Sequence, residues 1–160
     1  MVSPTYGKVS MDEIVRIIQK RVESADGEYG LMIGTDSQNF DKTKVVVVIA
    51  LHHVGKGGIF FYQITNVPRI GNIGQKLLHE TGMSLEYAGQ LVAAFDRLKE
   101  KAGFDYQSKM SLSIHVDAGE NGPSKKIIPE VVGWITACGY QVHIKPESYA
   151  ASSIANKYSK

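Results

Sequence analysis

Two aspartates in this chain of 160 residues close apolar runs. Asp36 ends the run 31–35 in Gly34-Thr35-Asp36-Ser37, and Asp117 ends the alternating stretch that starts at Met110. Carboxylates at strand ends are placed for metal or proton chemistry. Two of them brought together repel, and the fold must then raise one pKa or supply a cation. Oxygen-only ligands suit magnesium or manganese better than zinc, which favours nitrogen and sulfur. A helical segment between the two aspartates offers a third carboxylate. Glu86 falls in the first turns of a helix starting near Ser84, and Glu80 takes its place if that helix starts earlier. Three such groups around one or two divalent ions would activate a water and stabilise the leaving oxygen in phosphodiester cleavage.

The elements that must position these residues follow from pattern. Ser10-Met11-Asp12-Glu13 has capping-box spacing, and Ile14, Ile17, Ile18 and Val22 then recur on one stripe until Ala25-Asp26-Gly27 stops it. This predicts an amphipathic helix in an N-terminal extension, residues 1–28. Three strands come next: one around 31–35, one over 44–54 with a Val-Val-Val-Val-Ile centre, and one over 59–66 after Gly55-Lys56-Gly57-Gly58. Short links make them an antiparallel meander. Residues 84–102 carry Leu85, Ala88, Leu91, Val92, Phe95 and Leu98 at helical spacing. Residues 75–81 continue that pattern upstream, interrupted by Gly82, since glycine costs about 1 kcal/mol in a helix interior. A fourth strand over 110–117 alternates apolar with polar residues. Pro123 suits the first turn of a helix running to Cys138. A fifth strand over 140–145 is broken by Pro146, and a last helix covers 149–158.

The long helix returns the chain so that strand four lies parallel to strand one, on the side away from the meander. Connections then leave strand one in opposite directions. Such a switch point is where open α/β sheets form ligand crevices. Asp36 and Asp117 sit at those two carboxyl ends.

With these residues in order, the chain resembles ribonuclease H. Gly34-Thr35-Asp36-Ser37-Gln38 stands on the first strand, Met83-Ser84-Leu85-Glu86-Tyr87-Ala88 on the core helix and His115-Val116-Asp117 on the fourth strand. Ile33-Gly34-Thr35-Asp36-Ser37-Gln38, the run from His115 through Ala118-Gly119-Glu120-Asn121-Gly122, and Ser148-Tyr149-Ala150-Ala151-Ser152-Ser153 are similar to the bacterial ribonuclease H-like family typified by YkuK. The resemblance spans residues 10–160. It implies an α/β fold in one domain, 1–160, with a mixed five-stranded sheet, three antiparallel strands then two parallel, flanked by helices. It also implies a two-metal nuclease site with Asp36, Glu86 and Asp117 as the first three ligands. Ribonuclease H has a fourth acidic residue on its last helix. Here Asn156 stands in that place, offering a carbonyl oxygen but no charge. Nucleic acid is the implied partner, with Ser37, Gln38, Asn121, Ser124, Lys125 and Lys126 as contacts.

Plainer readings stand beside these. Thr35-Asp36-Ser37 can make an Asx-type turn, and Glu86 can be a solvated residue near a helix N-terminus. His115 shares a strand face with Asp117 but reads as a hydrogen-bonded strand residue. The segment 119–125 lacks Walker spacing, leaving a loop for backbone phosphate flanked by Lys125 and Lys126, with Lys145, Lys157 and Lys160 extending the basic neighbourhood. Phe60-Phe61-Tyr62 reads as strand core before it reads as a base-stacking run. Charge is nearly balanced, 18 basic against 16 acidic side chains, which excludes a strongly polyanion-seeking disordered chain. The one cysteine, Cys138, excludes an intrachain disulfide framework and is expected to be buried. The longest purely apolar run, 45–51, is too short to span a membrane, and no export signal precedes it. A cytoplasmic protein without a membrane partner is expected. The alternative to a nuclease is a nucleic-acid-binding module that keeps the fold and a degenerate metal site.

Overall fold

The computed structural model describes residues 1–119, 121–145, 148 and 154–160. Its centre is the predicted meander, with each strand longer than its apolar run: β3 Tyr29–Asn39, β4 Thr43–His53 and β5 Gly57–Val67. Polar ends join because antiparallel pairing satisfies backbone groups beyond the buried residues. In β3 and β4 apolar residues do not alternate with polar ones, since both faces are covered. Leu31, Ile33, Val47, Ile49 and Phe61 face one core, and Met32, Val46, Val48 and Ala50 face a smaller one.

Among the described residues the sheet has seven strands rather than the expected five. Its order is β2-β1-β5-β4-β3-β6-β7, with β1 Val2–Ser3 and β2 Gly7–Lys8 forming a short hairpin on the free edge of β5 through Val2 and Tyr62. The first residues are thus sheet, not only helical extension. Two-residue strands carry no readable alternation. α1, Met11–Ser24, starts at the predicted box: Ser10 Oγ accepts from the Glu13 amide and Glu13 Oε1 accepts from the Ser10 amide. Its buried residues are Ile14, Val15 and Ile18.

α2 is the main difference from expectation. It runs Ile73–Ala102, beginning eleven residues before Ser84 (84 − 73), with Asn72 as its cap and left-handed Gly103 as its end. A Cβ on Gly82 would stand 3.4 Å from the ring of Trp134, so the glycine marks where the next helix packs, not where α2 starts. Thr43 and Asn39 fix the entry to α2: the Ile70 amide donates to Thr43 Oγ1 at 2.8 Å, and Asn39 Nδ2 donates to the Ile70 carbonyl at 2.9 Å.

β6, Met110–His115, pairs parallel with β3, and β7, Gln141–His143, pairs parallel with β6. Between them α3 spans Ile128–Ala137 with Pro129 in its first turn, so Pro123 belongs to the preceding loop rather than to the helix. Cys138 at its end is exposed, not buried as expected. α4 is Asn156–Ser159. The expected helix start at 149, the break at Pro146 and the motif residues 149–153 lie outside the described residues. Among those described, no helix is long and apolar enough to cross a membrane.

Candidate functional site

The sheet register brings the two aspartates together. Gly34 of β3 and His115 of β6 are the last pair of their ladder, and Asp36 and Asp117 each lie two residues past it. Neighbouring strands lie about 4.8 Å apart. Asp36 is held by β4, where it pairs with Val46. Beyond β6, the backbone around Asp117 is tied by the Val116 amide on the His143 carbonyl, 2.8 Å, and the Lys145 amide on the Ala118 carbonyl, 2.9 Å. Asp36 is buried, and its pKa is raised, first by burial and further by the Asp117 charge, against a lowering hydrogen bond from Ser159.

The third carboxylate in this neighbourhood is Glu80, not Glu86. Because α2 starts at Ile73, its sheet-facing stripe is Leu77, Glu80, Thr81, Ser84, Ala88 and Leu91. Glu86 is two residues past Ser84, about 200° around the helix, and is exposed. Glu80 is buried, receives a hydrogen bond from Ser37 Oγ at 3.2 Å, and is pushed up to about 8, first by burial and then by Asp36. A carboxyl with that value holds its proton in most molecules at neutral pH.

Asp36, Glu80 and Asp117 line one cavity of about 790 Å³, with Ser37, Lys76 and Lys145 on its wall and Asn121, Pro123 and Ser124 on its rim. The carboxylates already have partners. Ser159 Oγ donates to Asp36 Oδ2 at 2.9 Å, and Lys145 Nζ lies 2.8 Å from Asp117 Oδ1, off the line of an aligned hydrogen bond. That contact raises the Lys145 pKa. Lys76 Nζ donates to the Ser37 carbonyl at 3.5 Å. The raised pKa of Glu80, the Ser159 hydroxyl on Asp36 and the Lys145 ammonium on Asp117 each ease the mutual repulsion, so of the two expected devices the raised pKa is present.

Among the described residues, no three His, Cys, Asp or Glu side chains stand close enough to hold one ion. The donor chemistry nevertheless suits a hard divalent cation. It is oxygen-only, and it brings the carboxylates of Asp36, Glu80 and Asp117 to one cavity. Asn156 is not among the cavity residues. It opens α4 and its carbonyl accepts from Ser159 Oγ at 3.1 Å, so Ser159, three residues on, reaches Asp36 in its stead.

Of the expected nucleic-acid contacts, Ser37, Asn121 and Ser124 line the cavity, whereas Gln38, Lys125 and Lys126 are exposed outside it. Glu120, in the same loop, lies outside the described residues. His115 is buried, bonded to Ser113 Oγ at 3.2 Å, and its pKa is lowered to about 4 by burial and then by His143. The sequence reading missed Ser159 and Lys76, and saw Lys145 only as part of a basic neighbourhood. No motif marks them; only the folded sheet brings residues 36, 76, 145 and 159 to one place.

Comparisons with known proteins agree with the fold. The family model described as "Ribonuclease H-like" matches residues 11–160. The chain is 35% identical over 157 residues to "Uncharacterized protein YkuK" of Bacillus subtilis (strain 168), covering 94% of this chain and 88% of that one. No solved structure gives a significant match. With its parallel pair joined across α2 and flanked by the meander, the chain belongs to the ribonuclease H-like family.

Proposed function

We propose that this protein is a magnesium- or manganese-dependent nuclease that hydrolyses phosphodiester bonds of nucleic acid in the cytoplasm. The observation that carries the reading is one cavity lined by three carboxylates, Asp36 of β3, Glu80 of α2 and Asp117 two residues past the end of β6. Asp36 and Asp117 would hold the cation, with Glu80 as the third carboxylate in the place first expected of Glu86. A bound divalent ion supplies an acidified water and positive charge for the phosphoryl oxygens. Ser159 orients the Asp36 carboxylate through its hydrogen bond. Lys145 and Lys76 place positive charge at the wall where a phosphate would lie. Asn121 and Ser124 offer polar groups at the rim.

A second reading, a nucleic-acid-binding module that does not cleave, is favoured by one observation: Lys145 already neutralises Asp117, and no carboxylate stands at position 156. Strand cleavage of an RNA–DNA hybrid and of structured DNA with manganese separates the two. Wild type is expected to cleave, and Asp36→Asn to lose at least about a hundredfold in rate, about 2.7 kcal/mol of barrier. Activity that persists undiminished in Asp36→Asn removes the proposed site. Binding without cleavage by the wild type selects the second reading.

A further inference from the structure

The sheet face that carries Asp36 holds a group of rings and cations that the carboxylate site does not use. Phe60 and Tyr62 of β5 point to the smaller core, opposite fully buried Phe61. Tyr158 of α4 stacks on Tyr62, centroids 4.3 Å apart and planes at 17°, and meets Phe60 at 5.8 Å. All three rings remain half-buried, and Ile64 beside them is 38% exposed.

Cations surround the rings. Lys157 Nζ lies 5.8 Å from the centre of the Tyr158 ring, and Lys44 Nζ donates to the Lys160 carbonyl at 3.3 Å. By the two-residue period of strands, Lys44 shares a face with Val46 and Val48. Among the described residues of β3, β4, β5 and α4 on this side, Asp36 is the sole acidic one. Register gives the path to it: Tyr62 pairs with Val48 and Val48 with Gly34, two residues before Asp36. The rings thus stand two strand spacings from the carboxylates, roughly 10 Å across the sheet.

We propose that this face is a docking platform for single-stranded nucleic acid, with bases stacking on the outward side of the Tyr158–Tyr62 pair and on Phe60, and phosphates on exposed Lys157 and Lys160, the strand running on toward Asp36. The proposal rests on the nucleic-acid reading above and deepens it by choosing unpaired strands. Ring faces beside a positively charged track recognise any base whose face is free, whereas bases in a duplex are already stacked on each other. The Ser159 bond to Asp36 comes from the residue after Tyr158, so platform and site share one element.

Fluorescence anisotropy with labelled oligo(U), oligo(dT) and a hairpin duplex, in chelator to prevent cleavage, tests this. Both single strands are expected to bind at least about tenfold more tightly than the duplex, and Tyr158→Leu to weaken them about fivefold or more. Lys157→Gln/Lys160→Gln removes two exposed charges and is expected to lower the slope of log affinity against log salt by about 1.4. This double variant decides alone if Tyr158→Leu fails to fold. Duplex binding as tight as single-strand binding, or unchanged affinity and slope in the lysine variant, overturns the platform. Asp36→Asn keeps the two readings apart: platform variants that lose binding while Asp36→Asn retains cleavage uphold the platform and sink the carboxylate site.

Discussion

Glu80 shows how burial sets chemistry for a single residue. An isolated glutamate titrates near 4.5, and this one near 8, because a buried carboxylate loses hydration and faces Asp36. In metal-free protein the folded state keeps this proton while the unfolded chain releases it above pH 4.5. Stability should therefore fall as pH rises from there to about 8, then level off. Glu80→Gln removes the titration, and its advantage over wild type should grow to on the order of 2 kcal/mol between about pH 5 and pH 8. Chemical denaturation in chelator across that range reads it, and a pH-independent difference contradicts it. Lys145 acts on Asp117 in the opposite sense, as an ammonium competing with any cation. It is about half exposed, so its effect is modest. Lys145→Gln is expected to tighten manganese binding up to about fivefold by calorimetry; weaker binding would show that Lys145 supports the metal site rather than competing with it. Glu80 was legible as the alternative helix carboxylate, whereas the pairing of Lys145 with Asp117 was not, because residue 145 carries no motif and meets its partner only after the sheet closes.

At the scale of elements, one glycine decided which carboxylate the sequence favoured. A break at Gly82 puts the expected helix start at Ser84 and favours Glu86, whereas counting residues 75–81 as an earlier turn of the same helix favours Glu80. A helix of 30 residues with a packed face tolerates one glycine at about 1 kcal/mol, and the stripe through Leu77, Glu80 and Ser84 continues unbroken. The nearest atom to a Cβ at position 82 would be the Trp134 ring at 3.4 Å, an ordinary contact. Gly82→Ala should thus stabilise the fold by about 0.5–1 kcal/mol, while a larger side chain should destabilise it by displacing Trp134. A thermal melt of Gly82→Ala below that of wild type would mean that α3 packs against α2 more tightly than this. Elements with strong period or capping chemistry, such as α1 and the meander, were legible. Two-residue β1 and β2 were not, since so few residues hold no periodicity and depend on tertiary pairing.

For the whole molecule, topology carries the functional argument. Antiparallel strands on one side of β3 and parallel strands on the other make its carboxyl end a switch point, and that arrangement was readable from element order and crossover handedness alone. Asp36 and Asp117 lie just past the last pair of the ladder between β3 and β6 and line one cavity. The state of the site was not readable: it depends on Ser159, Lys76 and Lys145 arriving from distant segments to satisfy the carboxylates. The central proposal is that a divalent cation draws Asp36, Glu80 and Asp117, and not Glu86, together in the cavity they line. Isothermal titration of manganese into wild type, Asp36→Asn, Asp117→Asn, Glu80→Gln and Glu86→Gln tests it most directly. Glu86→Gln should bind as wild type does, and the other three should each lose at least about tenfold in affinity, about 1.4 kcal/mol. Wild-type affinity in Asp117→Asn, or a loss confined to Glu86→Gln, would contradict the account.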